Sequence, residues 1–200
     1  ITDLIEWEKS LFNGVIPASF FQSKLTNSTE SIIIVIVSNI LYMSHFLNPV
    51  IFAILIWHKK HQYYWYFIGG LLIVTYAGFI TFIVFPAAPP WWATKYGFLI
   101  DQTVVLSRFF YPSLVEFAGP NPVAAMPSLH MAYPSYISLF AIYLWGKKAL
   151  FLLLLPILIG FSTLILGHHY VIDLIAGSIY AAVTICLMII IKKSRVIKKV

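Results

Sequence analysis

The sequence predicts an all-α fold, a polytopic membrane helix bundle of five to six transmembrane helices. Three observations predict it. Of the 200 residues, 60% are hydrophobic and only 10% charged, with a mean hydropathy of +0.89, whereas soluble chains are roughly a quarter charged. Apolar runs near 31–57, 64–85, 129–145, 149–167 and 170–191 match the length of about 20 residues that a bilayer crossing needs. The basic residues flank those runs instead of spreading between them: Lys59, Lys60, Lys147, Lys148, Lys192, Lys193, Arg195, Lys198 and Lys199. A net charge of +6 distributed this way is a signature of membrane topology, not a nucleic-acid footprint, so no nucleic-acid partner is expected.

The elements follow in chain order. Asp3, Glu6 and Glu8 precede any apolar stretch, which rules out reading residues 1–30 as a signal peptide. Residues 3–13, DLIEWEKSLFN, place Leu4, Ile5, Leu11 and Phe12 on one helical face, with Asp3 and Glu6 as a capping box and Gly14 as the stop. Such a helix is too short to span, so residues 1–30 are assigned as an outer interfacial amphipathic segment. Residues 31–191 form the transmembrane domain, with an outer loop at 86–128, and residues 192–200 form a basic cytoplasmic tail. His45, Asn48 and Pro49 interrupt the first span and predict a kink; Pro134 and Pro156 predict bends in the third and fourth. The third run is short, about 25 Å at 1.5 Å per residue, so its ends are expected to extend.

The basic stretches HKKH (58–61), GKK (146–148) and KKSRVIKK (192–199) fall on one side when five spans are threaded, and the positive-inside rule makes that side cytoplasmic. All seven acidic residues lie in the outer regions or at Asp173. Five spans with an outer N-terminus is an odd count, which leaves room for a sixth element upstream of Ile1. The single cysteine, Cys186, excludes an internal disulfide or a cysteine cluster for zinc and is read as packing. Nothing in the sequence specifies an oligomeric state.

The outer segment opens with FPAAPPWW (85–92) and closes with NPVAAMPSLH (121–130). Proline-rich backbone at the membrane edge must be buried against protein or water, and a loop of about forty residues is usually functional. His130 begins the third span, which runs inward; the fourth returns, and GHHYVID (167–173) begins the fifth. His130 and His169, 39 positions apart, therefore come back to the same depth after one helical hairpin.

The chemistry of these residues is that of phosphoryl transfer. His169 and Asp173 are four apart and share a helical face. A carboxylate accepting the Nδ1–H of a histidine leaves Nε2 as a lone pair, able to attack phosphorus and form a phosphohistidine. His130 is placed to give a proton to the leaving oxygen. Pro127 and Ser128 fit the first turn of the third span, and its positive end is expected to face the phosphate, as is that of the fifth span beside His169. Two-metal sites lean on carboxylates; near this pocket the chain has only Asp101, Glu116 and Asp173, so no metal and no cofactor are expected.

AAMPSLH (124–130) and GHHYVIDLIAG (167–177) resemble the second and third signature motifs of the type-2 phosphatidic acid phosphatase superfamily. The likeness is closer to its branch of inositol phosphorylceramide synthases, where a proline-rich first motif, AAxPSLH and HHYxxD occur together. It covers roughly residues 85–177. The resemblance implies His169 as nucleophile, Asp173 as its partner, His130 as general acid and Ser128 as a phosphate ligand. Two departures stand out: Thr163 occupies the place of the third motif's arginine, and FPAAPPWW lacks the first motif's lysine and arginine. Arg108 and Lys95, the cations of the outer loop, are the candidate substitutes as phosphate ligands.

The leading expectation is a metal-independent lipid-phosphate phosphatase of the plasma membrane with its active site on the extracytoplasmic face. Its substrate would be a lipid phosphate such as a polyprenyl diphosphate, phosphatidate or phosphatidylglycerol phosphate. The alternative is a lipid phosphotransferase of the inositol phosphorylceramide synthase type; a histidine-ligated haem protein is a remote third, decided by a Soret band. A serine protease using Ser128 is disfavoured, since the serine lacks a glycine-flanked elbow. Simpler roles are assigned elsewhere. His45, His58 and His61 read as polar anchors, although an ionisable residue at mid-span, as His45 is, carries function by default. Trp91 and Trp92 read as interfacial belt residues. His168, about 100° around the helix from His169, flanks the pocket or contacts headgroups.

Overall fold

The computed structural model describes residues 2–25, 28–105 and 121–197. Among them every regular element is a helix, in the order α1 (Thr2–Leu11), α2 (Pro17–Ser23), α3 (Thr29–Lys59), α4 (Tyr64–Val84), α5 (Pro90–Lys95), α6 (Leu129–Trp145), a 3₁₀ segment (Gly146–Leu153), α7 (Leu154–Ile165) and α8 (Val171–Ile197). A 3₁₀ turn at His61–Tyr63 leads into α4. A polytopic helix bundle, as the composition predicted, is what the chain forms.

Four helical stretches are long and apolar enough to cross a membrane: Thr29–Lys59, His61–Val84, Leu129–Ile165 and Val171–Ser194. The third doubles back on itself. Gly146 takes φ +61°, a conformation open to glycine at little cost, and the Ser138 hydroxyl reaches the Leu152 carbonyl at 2.7 Å across the bend. Its two arms, α6 and the 3₁₀ segment with α7, are thus the third and fourth of the five predicted spans. Pro156 falls in the first turn of α7, just after the change from 3₁₀ to α geometry, where a missing N–H is tolerated. The first span continues as helix through Pro49 from its Ser28 cap, whose hydroxyl accepts from Ser31 N at 3.3 Å.

The bundle core joins α3, α4, α6 and α8 around Phe52, Phe67, Tyr136, Phe140 and Ile185. Phe67 stacks on Tyr136 at 5.5 Å and meets Phe140 edge-on at 5.3 Å. The Tyr136 hydroxyl, buried among these rings, donates to the Phe67 carbonyl at 3.3 Å. α4 comes this close because Gly70 faces that hydroxyl and Gly78 faces Leu129.

A second core lies at the other end of the bundle, where Leu4, Ile5, Ile16, Ala87, Leu99, Ala125 and Tyr170 pack together. α1 is therefore part of the fold. Its buried face is Leu4, Ile5 and Glu8, whereas Leu11 and Phe12, expected on that face, are 60% and 36% exposed. The helix ends at Leu11, and the chain reverses through Asn13 and Gly14, both at positive φ, so the last two apolar residues turn outward.

Candidate active site

Three short sequence stretches meet at this second core, and backbone hydrogen bonds join each to the next. The chain entering α5 pairs with the chain before α6, Ala87 N donating to Val123 O at 3.1 Å and Ala125 N to Ala87 O at 3.0 Å. Trp91 N donates to Gly167 O at 3.3 Å, and Ser128 N donates to Asp173 O at 3.0 Å. FPAAPPWW, AAMPSLH and GHHYVID are thus laced into one unit. Gly167, at φ +78°, makes the turn between α7 and α8 on which the two histidines sit.

The predicted pair comes together. His130 Nδ1 lies 3.0 Å from His169 Nε2, and His169 Nδ1 lies 3.3 Å from Asp173 Oδ2. One proton arrangement satisfies the row: His169 donates from Nδ1 to the carboxylate, and His130 donates from Nδ1 to the Nε2 lone pair of His169. Asp173 Oδ2 also accepts from Tyr170 N at 2.9 Å, while Oδ1 is buried with no partner. His169 is 3% exposed, Asp173 and Ser128 fully buried. Burial holds the His169 pKa down at about 4 against the pull of the Ala125 carbonyl, so the ring is neutral near pH 7.

Ser128 is the N-cap of α6, its Oγ accepting from Met131 N at 3.3 Å. That bond uses the oxygen as an acceptor and leaves the hydroxyl proton for a ligand oxygen. The start of α8 is different from expectation. Its donors are spent inside the protein: Val171 N bonds Glu8 Oε1 at 2.9 Å and Ile172 N bonds Glu8 Oε2 at 3.2 Å. With Tyr170 N on Asp173, the positive end of this helix is filled by carboxylates and does not stand open for a phosphate.

Two further rings close the site from α3. Tyr42 packs against both His130 and His168, with ring centroids at 4.4 and 4.5 Å. His45 lies 4.1 Å from His130, and its Nδ1 bonds the Tyr42 carbonyl. His45 is therefore a member of the histidine cluster instead of the polar anchor it was read as. Its mid-span position was the available signal; Tyr42, three residues earlier on the same face, gave none. His168 does flank the pocket, and burial, then His169 and His45, lower its pKa to about 3. His61 packs against Trp57 at 4.0 Å, consistent with an anchor. Trp91 is more than a belt residue, since its backbone ties the first stretch to the third and its indole N–H is buried without a partner.

Of the two nominated cations, the structure describes only Lys95, and it stands apart from the histidines. Lys95 is exposed at the end of α5 with its ammonium over Tyr96, 5.5 Å from the ring, and no described contact joins it to a histidine. Arg108 lies outside the described residues. Thr163, standing where an arginine was sought, is buried and donates to Gly160 O at 2.7 Å within its own helix. Among the described residues no group of three or more His, Cys, Asp or Glu is arranged to hold a metal ion.

A membrane helix bundle with paired histidines in PSLH and HHYVID is the architecture of one family of phosphate-ester enzymes, and the PAP2 superfamily profile matches residues 2–187 of this chain. The chain belongs to the PAP2 superfamily. It is 30% identical over 198 positions to a phosphoinositol dihydroceramide synthase of Bacteroides thetaiotaomicron, covering 88% of this chain and 63% of that protein. It is 29% identical over 116 positions to the inositol phosphorylceramide synthase catalytic subunit AUR1 of Saccharomyces cerevisiae, covering 50% of this chain and 28% of that protein. The chain thus spans less than two thirds of the length of either relative. No solved structure matches it.

Proposed function

We propose that this protein is a lipid phosphotransferase which moves a phosphoalcohol headgroup from a phosphodiester lipid to the hydroxyl of a ceramide-type lipid. The expectation of a phosphatase gives way to the alternative because both relatives are named as synthases that join a phosphoinositol group to a ceramide. The observation that carries the reading is the row from Asp173 through His169 to His130, with bonds of 3.3 and 3.0 Å. It supports His169 Nε2 as the nucleophile, since that nitrogen is both oriented from behind and faced by a proton donor.

In the first step His169 Nε2 attacks phosphorus and the P–O bond to the departing lipid alcohol breaks. His130, entering as the imidazolium, gives this oxygen its proton and is left as neutral imidazole. In the second step the acceptor hydroxyl attacks the phosphohistidine, His130 takes its proton, and His169 leaves as neutral imidazole. Asp173 stabilises the charge that appears on His169 in between. Ser128 Oγ–H donates to a non-bridging oxygen. The resting contact between His130 and His169 occupies the reaction space, so the two rings part when the phosphoryl group enters.

Two features support transfer over hydrolysis. His169, Asp173 and Ser128 are almost fully buried and His130 is partly so, and a site that restricts water lets a lipid hydroxyl compete for the phosphohistidine. A phosphodiester also carries one negative charge, which suits a site whose described side chains are histidines and a serine. The basic residues near 58–61, 146–148 and 192–199, at the opposite end of the spans, support a site on the extracytoplasmic side of the plasma membrane.

The test uses detergent-solubilised protein with a phosphoinositol lipid as donor, with and without ceramide. Expected is a phosphoinositol–ceramide product formed only when ceramide is present, and loss of turnover by at least about 10³-fold in His169→Gln, because the nucleophile is gone. Release of water-soluble phosphate or phosphoinositol at the same rate without ceramide would identify a hydrolase. Turnover retained in His169→Gln would overturn the mechanism.

A further inference from the structure

The first turn of a helix has N–H groups without intrahelical partners, usually met by a Ser, Thr, Asp or Asn just before it. The residues before α8 are His168, His169 and Tyr170, none of which caps well. The cap is imported. Glu8 reaches Val171 N and Ile172 N with one oxygen each, from 163 and 164 residues away. It is 0% exposed and one of seven acidic residues in the chain. A carboxylate buried this completely is costly unless its hydrogen bonds are made, and here both oxygens are used.

The opposite side of the same turn is held by the same part of the chain. From α2, Gln22 Nε2 donates to Ile165 O at 2.9 Å, at the end of α7, and to Val105 O at 2.7 Å. Its Oε1 accepts from Val105 N at 2.8 Å. The five residues between α7 and α8, which carry both adjacent histidines, are gripped at their two ends by side chains of the N-terminal segment. Apolar packing of Leu4 and Ile5 against Tyr170 and Ile172 sets the distance at which Glu8 meets the helix.

We propose that Glu8 is a positioning residue for phosphoryl transfer: its carboxylate fixes the N-terminus of α8 and so sets the direction in which His169 presents Nε2. Asp173 rides on the same first turn, so a shift of the helix start displaces the nucleophile and its orienting carboxylate together. Misplacement of reacting atoms by about 1 Å costs roughly 100-fold in rate. This inference rests on His169 being the nucleophile.

The experiment compares Glu8→Gln, Glu8→Ala and Glu8→Asp with the parent enzyme in donor-to-ceramide transfer, each normalised to protein that elutes as a folded, monodisperse species. Glutamine keeps the shape but turns one acceptor into a donor facing an N–H; aspartate keeps the charge and both acceptors on a shorter arm. Expected are kcat values lowered roughly 10- to 100-fold in Glu8→Gln with KM for the donor within about threefold, and partial recovery in Glu8→Asp. If Glu8→Ala fails to fold, Glu8→Gln and Glu8→Asp carry the comparison. A kcat in Glu8→Gln equal to the parent's overturns the proposal, as does a loss confined to KM or to the yield of folded protein. His169→Gln is measured alongside. If it retains turnover, the reading of the site has failed; if it is dead while Glu8→Gln is fully active, only the role of Glu8 has.

Discussion

One oxygen of Asp173 serves two donors, His169 Nδ1 at 3.3 Å and Tyr170 N at 2.9 Å, so the side chain that holds the His169 ring also helps cap the helix that follows it. Glu8 completes that cap, and burial, opposed by its bonds to Val171 and Ile172 and aided by the charge of Asp173, raises its pKa from 4.5 to about 7. Tyr170 and Asp173 are the ionisable groups that face it from α8 and the preceding turn. Both N–H groups are held only by the ionised form. The rate of transfer is therefore expected to fall partway to a plateau as pH drops through about 7, and this limb should vanish in Glu8→Gln. His169, at about 4, stays neutral through that window and does not produce it. Stability has the opposite sign: a carboxyl with its folded pKa raised above 4.5 contributes stability in full below pH 4.5 and loses it as pH rises through about 7. pH–rate profiles and thermal unfolding of the two proteins measure both. His169 and Asp173 were legible in the sequence from their spacing of four, and His130 from the hairpin that returns the chain to its depth. Tyr42, His45 and Glu8 were not, because each acquires its role from an element distant in sequence.

At the scale of elements, the site depends on how closely α6 lies against α8. A methyl group at Gly177 would overlap the Ser128 carbonyl oxygen and crowd Ala132 N, at 3.3 Å. Both obstacles are backbone of the first turn of α6, which has no side-chain rotamer to yield. Gly177→Ala is therefore expected to push α6 away, to cost about 1–3 kcal/mol of stability, and to separate Ser128 from Asp173, whose backbones now meet at 3.0 Å. Thermal unfolding and transfer activity check both; unchanged values would show that the helices pack otherwise. Gly70→Ala, facing the end of the Tyr136 side chain, is expected to be milder. The five apolar runs foretold the spanning helices to within a few residues, since length and composition decide them. The 3₁₀ entry to α7 was invisible, because LFLLLLPILI has the same apolar character throughout.

On the scale of the whole molecule, the end that holds the histidines also carries an apolar exterior, with Trp7 48%, Leu11 60%, Val15 41% and Phe20 50% exposed on the N-terminal segment. Ile33, Val37 and Ile40 of α3 are exposed as well, ahead of the turn that bears Tyr42 and His45. Under the proposed function, this apolar exterior suits lipids arriving sideways from the bilayer. Orientation is tested with single cysteines in a Cys186→Ser background. Asn121→Cys should react with an impermeant maleimide added to intact cells, and Lys148→Cys only after permeabilisation. The reverse pattern would place the site on the cytoplasmic face.

The bond from Glu8 to α8 also imposes an order on biosynthesis. His130 and His169 are 39 positions apart and meet within one helical hairpin and its next turn, so that contact is available as soon as the turn before α8 emerges. Glu8 must instead close a loop of 163 residues, and it waits for its partner while every described element between them is made. Until α1 docks on α8, the turn that carries His168 and His169 lacks one of its two grips. Under the proposed function, full reactivity is thus reserved for a chain in which α1 has met α8.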